Sequence, residues 1–132
     1  MIKKVSHIGV AVNNLKEASD FFRENFGFSI SNQENFGELI FSFVPFHEGT
    51  DLELLQSTTL DGTIAKFIGK KGEGIHHISF EVDDIQTELD RLKEKGLRLI
   101  NEKPYPNAHG DLVAFIHPKS TFGILVELIQ PT

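Results

Sequence analysis

Apolar residues alternate with small or polar residues in two segments of the chain, a pattern that predicts β-strands with two different faces. In the first segment, residues 5–12, the apolar face consists of Ile8, Val10 and Val12. His7 lies on the opposite face, among small side chains. One histidine on a strand usually has a structural role, so this position becomes informative only because it recurs.

The second segment, residues 75–82, repeats the arrangement. Its apolar face consists of three residues: Ile78, Phe80 and Val82. His77 lies on the opposite face, whereas His76 falls on the apolar side, where a buried imidazole usually just needs a hydrogen-bond partner. His7 and His77 therefore occupy equivalent strand positions, 70 residues apart.

The two halves of the chain continue in parallel after these strands, as expected for an internal repeat. Each strand leads into a helix that begins at a capping side chain, Asn13 or Asn14 in the first half and Asp84 in the second. A glycine ends each helix, Gly27 in the first half and Gly96 in the second.

Each half then closes on a strand that carries one glutamate at a matching position. Residues 52–56 contain Glu53, and residues 126–130 contain Glu127, 74 residues further on. A single glutamate on a strand is usually a solvated residue. Two matched histidines and two matched glutamates in a duplicated segment indicate a shared function instead.

Further patterns predict the remaining elements. The first helix has an apolar face that includes Phe21, Phe22 and Phe26, and we expect these rings in the core. The other predicted elements are strands at residues 28–31, 39–44, 112–116 and 124–129, and a linker helix around Ile64, Phe67 and Ile68. The sequence thus predicts one α+β domain, residues 1–132, made of two βαβββ repeats at about 1–57 and 74–132.

Composition narrows the possible functions. The chain has 19 acidic and 13 basic residues and a formal net charge of −6, which argues against a nucleic-acid surface or binding to anionic lipid. It contains no cysteine, so a metal would need histidine, carboxylate or amide ligands. The apolar run after Lys3 and Lys4 is interrupted by His7 and Gly9, and nothing approaches the length of a membrane span. We therefore expect a soluble cytoplasmic protein.

Two imidazoles and two carboxylates on the inward faces of a sheet can hold a divalent ion of intermediate hardness. An octahedral ion with four protein ligands keeps two positions for water or substrate. Such an ion polarises a carbonyl group and stabilises the charge that develops when a neighbouring proton leaves. The pattern favours proton abstraction next to a carbonyl. Whether a given glutamate binds metal, moves protons or does both is open at this point.

Several stretches that span nearly the whole chain together resemble the vicinal oxygen chelate superfamily, which includes glyoxalase I, ring-cleaving dioxygenases and antibiotic-resistance binding proteins. Within that superfamily the chain is most similar to methylmalonyl-CoA epimerases. The resemblance implies a glyoxalase-like fold, in which the two βαβββ modules form a curved mixed sheet around a metal site. The stretches that carry it are His7-Ile8-Gly9-Val10-Ala11-Val12, Glu53-Leu54-Leu55, Ile64-Ala65-Lys66-Phe67, Gly72-Glu73-Gly74-Ile75-His76-His77-Ile78, His117-Pro118-Lys119-Ser120 and Gly123-Ile124-Leu125-Val126-Glu127-Leu128.

The resemblance implies a cofactor and a substrate. The cofactor is a divalent ion, such as Co, Ni, Zn or Mn, held by His7, Glu53, His77 and Glu127. The substrate is an acyl-CoA, methylmalonyl-CoA, whose thioester carbonyl and carboxylate chelate the metal. The proton between these two groups is removed and then returned on the other face. Members of the superfamily often pair, so we also expect a homodimer.

Two glutamates are candidates for the base that removes this proton. Some epimerases place a glutamate base on the strand that here follows Gly37, and the matching position in this chain is Ile40. Glu38 lies two residues earlier on the same predicted strand face and is a substitute candidate. Glu127 is the other candidate.

Two alternative functions remain open. A glyoxalase I type lactoylglutathione lyase, acting on a hemithioacetal, uses a similar ligand set. A metal-free small-molecule binding protein of the resistance type tends to lack the four ligands. The turn at residues 117–120 and the segment 72–77 favour the epimerase.

Overall fold

The computed structural model describes residues Met1–Thr132. The order of elements is β-α-β-β-β in each half, which confirms the two predicted βαβββ modules. The first module consists of β1 (Ile2–Ala11), α1 (Leu15–Phe26), β2 (Glu34–Phe36), β3 (Leu39–Val44) and β4 (Asp51–Ser57). The linker helix is α2 (Thr63–Lys71). The second module consists of β5 (Gly74–Val82), α3 (Ile85–Glu94), β6 (Tyr105–Pro106), β7 (Leu112–Ile116), a 3-10 helix (Pro118–Ser120) and β8 (Val126–Gln130).

The chain divides into two compact units. The first unit comprises His7–His76 and therefore includes β1 only from His7 onward. Its strands lie in the order β2-β3-β4-β1, with β1 parallel to β4 and the other pairs antiparallel. The second unit comprises Met1–Ser6 and His77–Thr132, and its strands lie in the order β5-β8-β7-β6, with β5 parallel to β8. Each unit thus contains a mixed sheet, and the predicted α+β class is confirmed.

Both faces of the sheet in the first unit are packed. On one face, Leu15 of α1 lies in a cluster with Val44 and Leu54. On the other face, Ile64 of α2 packs with Ala11, Phe41 and Leu55. Burial of these side chains provides the main stabilisation of the unit.

In the second unit, one face of the sheet packs against α3. The cluster there consists of six buried residues: Val82, Ile85, Leu89, Ala114, Ile116 and Leu128. Side chains alternate along a strand, so the opposite face carries His77, Ser79 and Glu127, all of which are buried. The buried polar side chains of the second module are therefore gathered on the face of the sheet that is opposite α3.

A glutamine from the last strand of each module helps to begin the helix of that module. Gln56 Oε1 accepts a hydrogen bond of 2.7 Å from the Leu15 N–H, and Gln130 Oε1 accepts one of 2.9 Å from the Ile85 N–H. The N-cap residues are Asn14 in α1 and Asp84 in α3, as predicted. These bonds satisfy donors at the helix start that have no partner within the helix.

Two strand predictions were wrong, and one short strand was not predicted. Residues 28–31 form no strand. The Ser31 N–H donates to the Phe43 carbonyl oxygen, but the Phe43 N–H donates in return to the Ser31 side-chain oxygen and not to a backbone carbonyl, each at 2.8 Å. The strand β2 lies later, and β6 is a two-residue strand in a proline-containing loop that the sequence did not predict. The last strand begins at Val126 and not at residue 124, because Phe122 and Gly123 continue the turn with positive φ angles of 57° and 88°.

The aromatic face of α1 is only partly in the core. Phe21 is 53% exposed and Phe26 is 59% exposed, whereas Leu15 is buried. The phenylalanine rings contact one another, with the Phe21 and Phe22 centroids 5.4 Å apart. The expectation that all these rings are core residues was therefore wrong. None of the helices is long and apolar enough to cross a membrane.

Candidate metal centre

His7 of β1 and Glu53 of β4 form a close pair in the first unit. Their strands are parallel, and Glu53 lies directly opposite Gly9, two residues after His7. His7 is buried, and its Nε2 atom lies 3.4 Å from Glu53 Oε1. Two ligands bound tetrahedrally at about 2.0–2.1 Å from one zinc ion are roughly 3.3 Å apart. The spacing of the pair is therefore compatible with two ligands of one ion.

His77 of β5 and Glu127 of β8 form the corresponding pair in the second unit. Both side chains are buried, and their potential ligand atoms lie within 4.8 Å of each other. The His77 ring contacts Phe115 edge to face, with ring centroids 5.9 Å apart. Phe115 lies directly opposite Glu127 on the neighbouring strand. The apolar ring thus covers one side of the pair.

The strand register is the same in the two modules. Each glutamate lies opposite the residue two positions after the histidine, and each also lies opposite a phenylalanine on its other side. The corresponding pairs are Gly9 and Glu53, Ser79 and Glu127, Phe43 and Glu53, and Phe115 and Glu127. The predicted equivalence of His7 with His77 and of Glu53 with Glu127 is therefore confirmed.

The donor atoms suit a divalent metal. His7 in the first unit and His77 and Glu127 in the second unit are buried, and each side chain carries an atom that can ligate a metal. Glu53 is half-buried and adds a second carboxylate. Imidazole nitrogen and carboxylate oxygen are typical ligands of Zn, Co, Ni and Mn. The residues present therefore fit the predicted type of cofactor.

Glu38 does not lie where the sequence placed it. It is an exposed residue of the turn between β2 and β3, and its carbonyl oxygen accepts hydrogen bonds from the Thr58 backbone and side chain. Its neighbour Leu39 is opposite Ser57, four residues along β4 from Glu53. At about 3.3 Å per residue, this is roughly 13 Å from the His7 and Glu53 pair. The prediction that Glu38 lies on a strand face was wrong, because the tight turn at Gly37 extends through it.

Ile40 is part of β3 but faces away from Glu53. It packs in the cluster that contains Leu15 of α1. Phe43, which lies directly opposite Glu53, occupies the sheet face that carries the carboxylate. This strand therefore brings no carboxylate to the site.

Sequence analysis did not single out Tyr105, which lies on β6 of the second unit. Burial raises the pKa of its phenol, and the negative charge of Glu127 raises it further. The residue follows Pro104 in a loop-like stretch, and β6 has only two residues. No periodicity could therefore have indicated its position near Glu127.

The turn at residues 117–120 is held by its own backbone and side chains. His117 Nδ1 accepts a hydrogen bond of 3.0 Å from the Lys119 N–H, and Ser120 Oγ accepts one of 2.8 Å from the Arg98 N–H. Burial lowers the pKa of His117, and the positive charges of Arg98 and Lys119 lower it further. This imidazole therefore favours its neutral form, which the Nδ1 acceptor role requires.

Comparisons with known proteins agree with the predicted resemblance. The model of the glyoxalase/bleomycin resistance protein/dioxygenase superfamily matches residues 6–115. The ethylmalonyl-CoA/methylmalonyl-CoA epimerase of Cereibacter sphaeroides is 38% identical over 136 residues, which cover 98% of this chain and 99% of that protein. The mitochondrial methylmalonyl-CoA epimerase of Dictyostelium discoideum is 39% identical over 130 residues, which cover 96% of this chain and 78% of that protein.

A solved structure of a methylmalonyl-CoA epimerase in complex with methylmalonyl-CoA and NH4+ matches the fold with a TM-score of 0.91. That protein is 28% identical, and the match covers 100% of this chain and 96% of the other. The glyoxalase-like fold and the likeness to methylmalonyl-CoA epimerases are thus confirmed. The chain belongs to the glyoxalase/bleomycin resistance protein/dioxygenase superfamily.

Proposed function

We propose that this protein is a metal-dependent methylmalonyl-CoA epimerase. It removes the proton on the carbon between the thioester carbonyl and the carboxylate, and a proton then returns to the opposite face of that carbon. The main support is the identical register of the histidine and glutamate in both modules. This arrangement occurs in a chain whose relatives include proteins named as epimerases.

We propose that His7, Glu53, His77 and Glu127 hold one divalent ion. The 3.4 Å separation of the His7 and Glu53 atoms and the burial of His77 and Glu127 support this assignment. When bound, such an ion supplies a Lewis acid for the thioester carbonyl oxygen. Its identity among Co, Ni, Zn and Mn stays a prediction.

We assign the base to Glu127 and not to Glu38. Glu127 is 7% exposed and lies between Ser79 and Phe115, so a carboxylate oxygen there meets the substrate proton with little competition from water. Glu38 is exposed and is several residues along the strands from Glu53. A general base of this kind contributes about 10²- to 10⁴-fold to the rate.

The test is uptake of deuterium from heavy water into methylmalonyl-CoA, with metal-loaded and chelator-treated protein compared directly. We expect exchange only in the metal-loaded protein and a loss of about 10²-fold or more in Glu127→Gln. The matched control is Glu48→Gln, which changes an exposed loop carboxylate and should exchange at the wild-type rate.

Other outcomes would redirect the assignment. Loss of exchange in Glu38→Gln with exchange retained in Glu127→Gln would return the role of base to Glu38. Absence of exchange with turnover of a methylglyoxal hemithioacetal would favour a lactoylglutathione lyase. Absence of both reactions and of metal binding would favour a metal-free binding protein. The cytoplasmic location and the homodimer stay predictions.

A further inference from the structure

Ser79 lies on the same sheet face as His77 and Glu127, and its side chain has no role in the proposed metal site. It lies on β5 and is completely buried, with an exposure of 0%. Its hydroxyl has no hydrogen-bond partner within the protein. A buried hydroxyl without a partner destabilises a fold, so such groups usually serve a ligand or a neighbouring polar group.

The position of Ser79 identifies the neighbouring group. It lies directly opposite Glu127 in the parallel pair of β5 and β8, and the two side chains are on the same face of the sheet. Neighbouring strands are about 4.8 Å apart, so the serine and glutamate side chains are direct neighbours on this face. His77, two residues before Ser79, shares this face.

The first module shows that the sheet itself does not need this hydroxyl. Gly9 occupies the equivalent position, opposite Glu53, and β1 pairs with β4 in the same register without a side chain there. The serine therefore adds a polar group to one module only, next to the glutamate that we assign as the base.

We propose that Ser79 is a positioning residue for Glu127. When the metal is bound, its hydroxyl donates a hydrogen bond to the Glu127 carboxylate and fixes the orientation in which that carboxylate serves as a ligand. The hydrogen bond involves one donor and no change of protonation. This inference rests on the proposed metal site.

The test compares wild-type protein with Ser79→Ala and Ser79→Gly, the latter reproducing the residue of the first module. Zinc affinity is measured by competition with a chromophoric chelator, and the melting temperature is measured on metal-free protein. Loss of a hydrogen bond to a ligating carboxylate typically weakens metal affinity by about 10- to 100-fold, and we expect a loss of this size. The metal-free melting temperature of Ser79→Ala should be unchanged or higher, because the variant removes an unsatisfied hydroxyl.

Ser42→Ala is the matched control, since Ser42 is a buried serine of β3 in the other unit and should bind zinc with wild-type affinity. If Ser79 has only a structural role, Ser79→Ala will have a lower melting temperature without metal and an unchanged zinc affinity. That result would overturn the inference. If the wild type binds zinc and Ser79→Ala binds it equally tightly, this inference is overturned but the proposed metal site is not. A wild type that binds none of Zn, Co, Ni and Mn in this competition would overturn both this inference and the proposed metal site.

Discussion

His7 Nε2 lies 3.4 Å from Glu53 Oε1, and both side chains extend from neighbouring parallel strands of one unit. The contact is an ion pair only when the imidazole is protonated, whereas a metal needs the neutral imidazole. The same two residues can therefore pair with each other or bind an ion, and protons compete with the metal. Site occupancy should accordingly fall as the solution is acidified.

We expect Glu53→Gln to weaken zinc binding by more than roughly 100-fold, because the loss of a ligand charge should exceed the loss of a supporting hydrogen bond. The amide keeps the size of the side chain, so the melting temperature of the metal-free protein should change little. Chelator competition measures the affinity. Glu48→Gln, in an exposed loop, is the control, and an unchanged affinity in Glu53→Gln would show that the charge of Glu53 does not contribute to metal binding.

Tyr105 offers a spectroscopic test of the Glu127 position. The chain has one tyrosine and no tryptophan, so phenolate absorbance reports on Tyr105 alone. Burial raises the pKa of Tyr105, and the charge of Glu127 raises it further. Glu127→Gln removes the negative charge, which is the smaller of the two causes, and leaves the burial. The pKa of Tyr105 should therefore fall below the wild-type value and stay above its ordinary value of 10.0.

Glu94→Gln is the control for this titration, because Glu94 is an exposed residue of α3. An identical titration curve in wild type and Glu127→Gln would show that the carboxylate charge does not reach the phenol. Zinc binding at Glu127 should shift the curve in the same direction as the mutation, since the ion compensates the negative charge.

The glutamines that contact the helix starts should contribute similarly to stability. Gln56→Ala and Gln130→Ala each leave one backbone donor without its partner, and we expect each to lower the free energy of unfolding by about 1 kcal/mol. Urea unfolding measures the change. Gln33→Ala, at an exposed loop position, should have no comparable effect, and an equal loss there would contradict the prediction.

His117 should make the protein less stable in mild acid. Its pKa is lowered in the folded state, chiefly by burial, so the unfolded chain takes up a proton first as the pH falls below the ordinary value of 6.5. This contribution is complete above that value and is lost as the pH falls through the folded pKa. His117→Asn can keep an acceptor for the Lys119 N–H and has no such titration.

The measurement is the urea midpoint at about pH 8 and about pH 5.5, on either side of the ordinary histidine pKa. We expect a smaller fall in His117→Asn than in wild type. His47→Asn, in an exposed loop, controls for loss of any histidine and should behave like wild type. Equal falls in wild type and His117→Asn would show that His117 does not carry this dependence.

The sequence predicted the elements with strong local signals. Asn14 and Gly27 bound α1 as expected, because a capping side chain and a left-handed residue are local requirements. The strand at Leu39–Val44 was also predicted with the correct bounds. Alternation within one strand was sufficient to place His77 on the correct face.

The errors arose where distant contacts decide the structure. Ser31 supplies a side-chain oxygen to Phe43, and no local pattern indicates that a hydroxyl replaces a strand carbonyl there. Glu38 continues the alternation of β3 in the sequence, yet the turn includes it. For the candidate site, the residue types and their equivalence were predictable. The strand register that places Ser79 beside Glu127 was not.

The common register of the two modules has a practical consequence for engineering. Each paired strand position in one module has a counterpart whose amino acid fits the same strand register, so the chain suggests its own set of substitutions to test. Exchange of the residues at positions 9 and 79 is the simplest such graft, and Asn14 and Asp84 form another pair. A small library built only from these exchanges would separate residues that the fold needs for stability from residues that are specific to the function of one module.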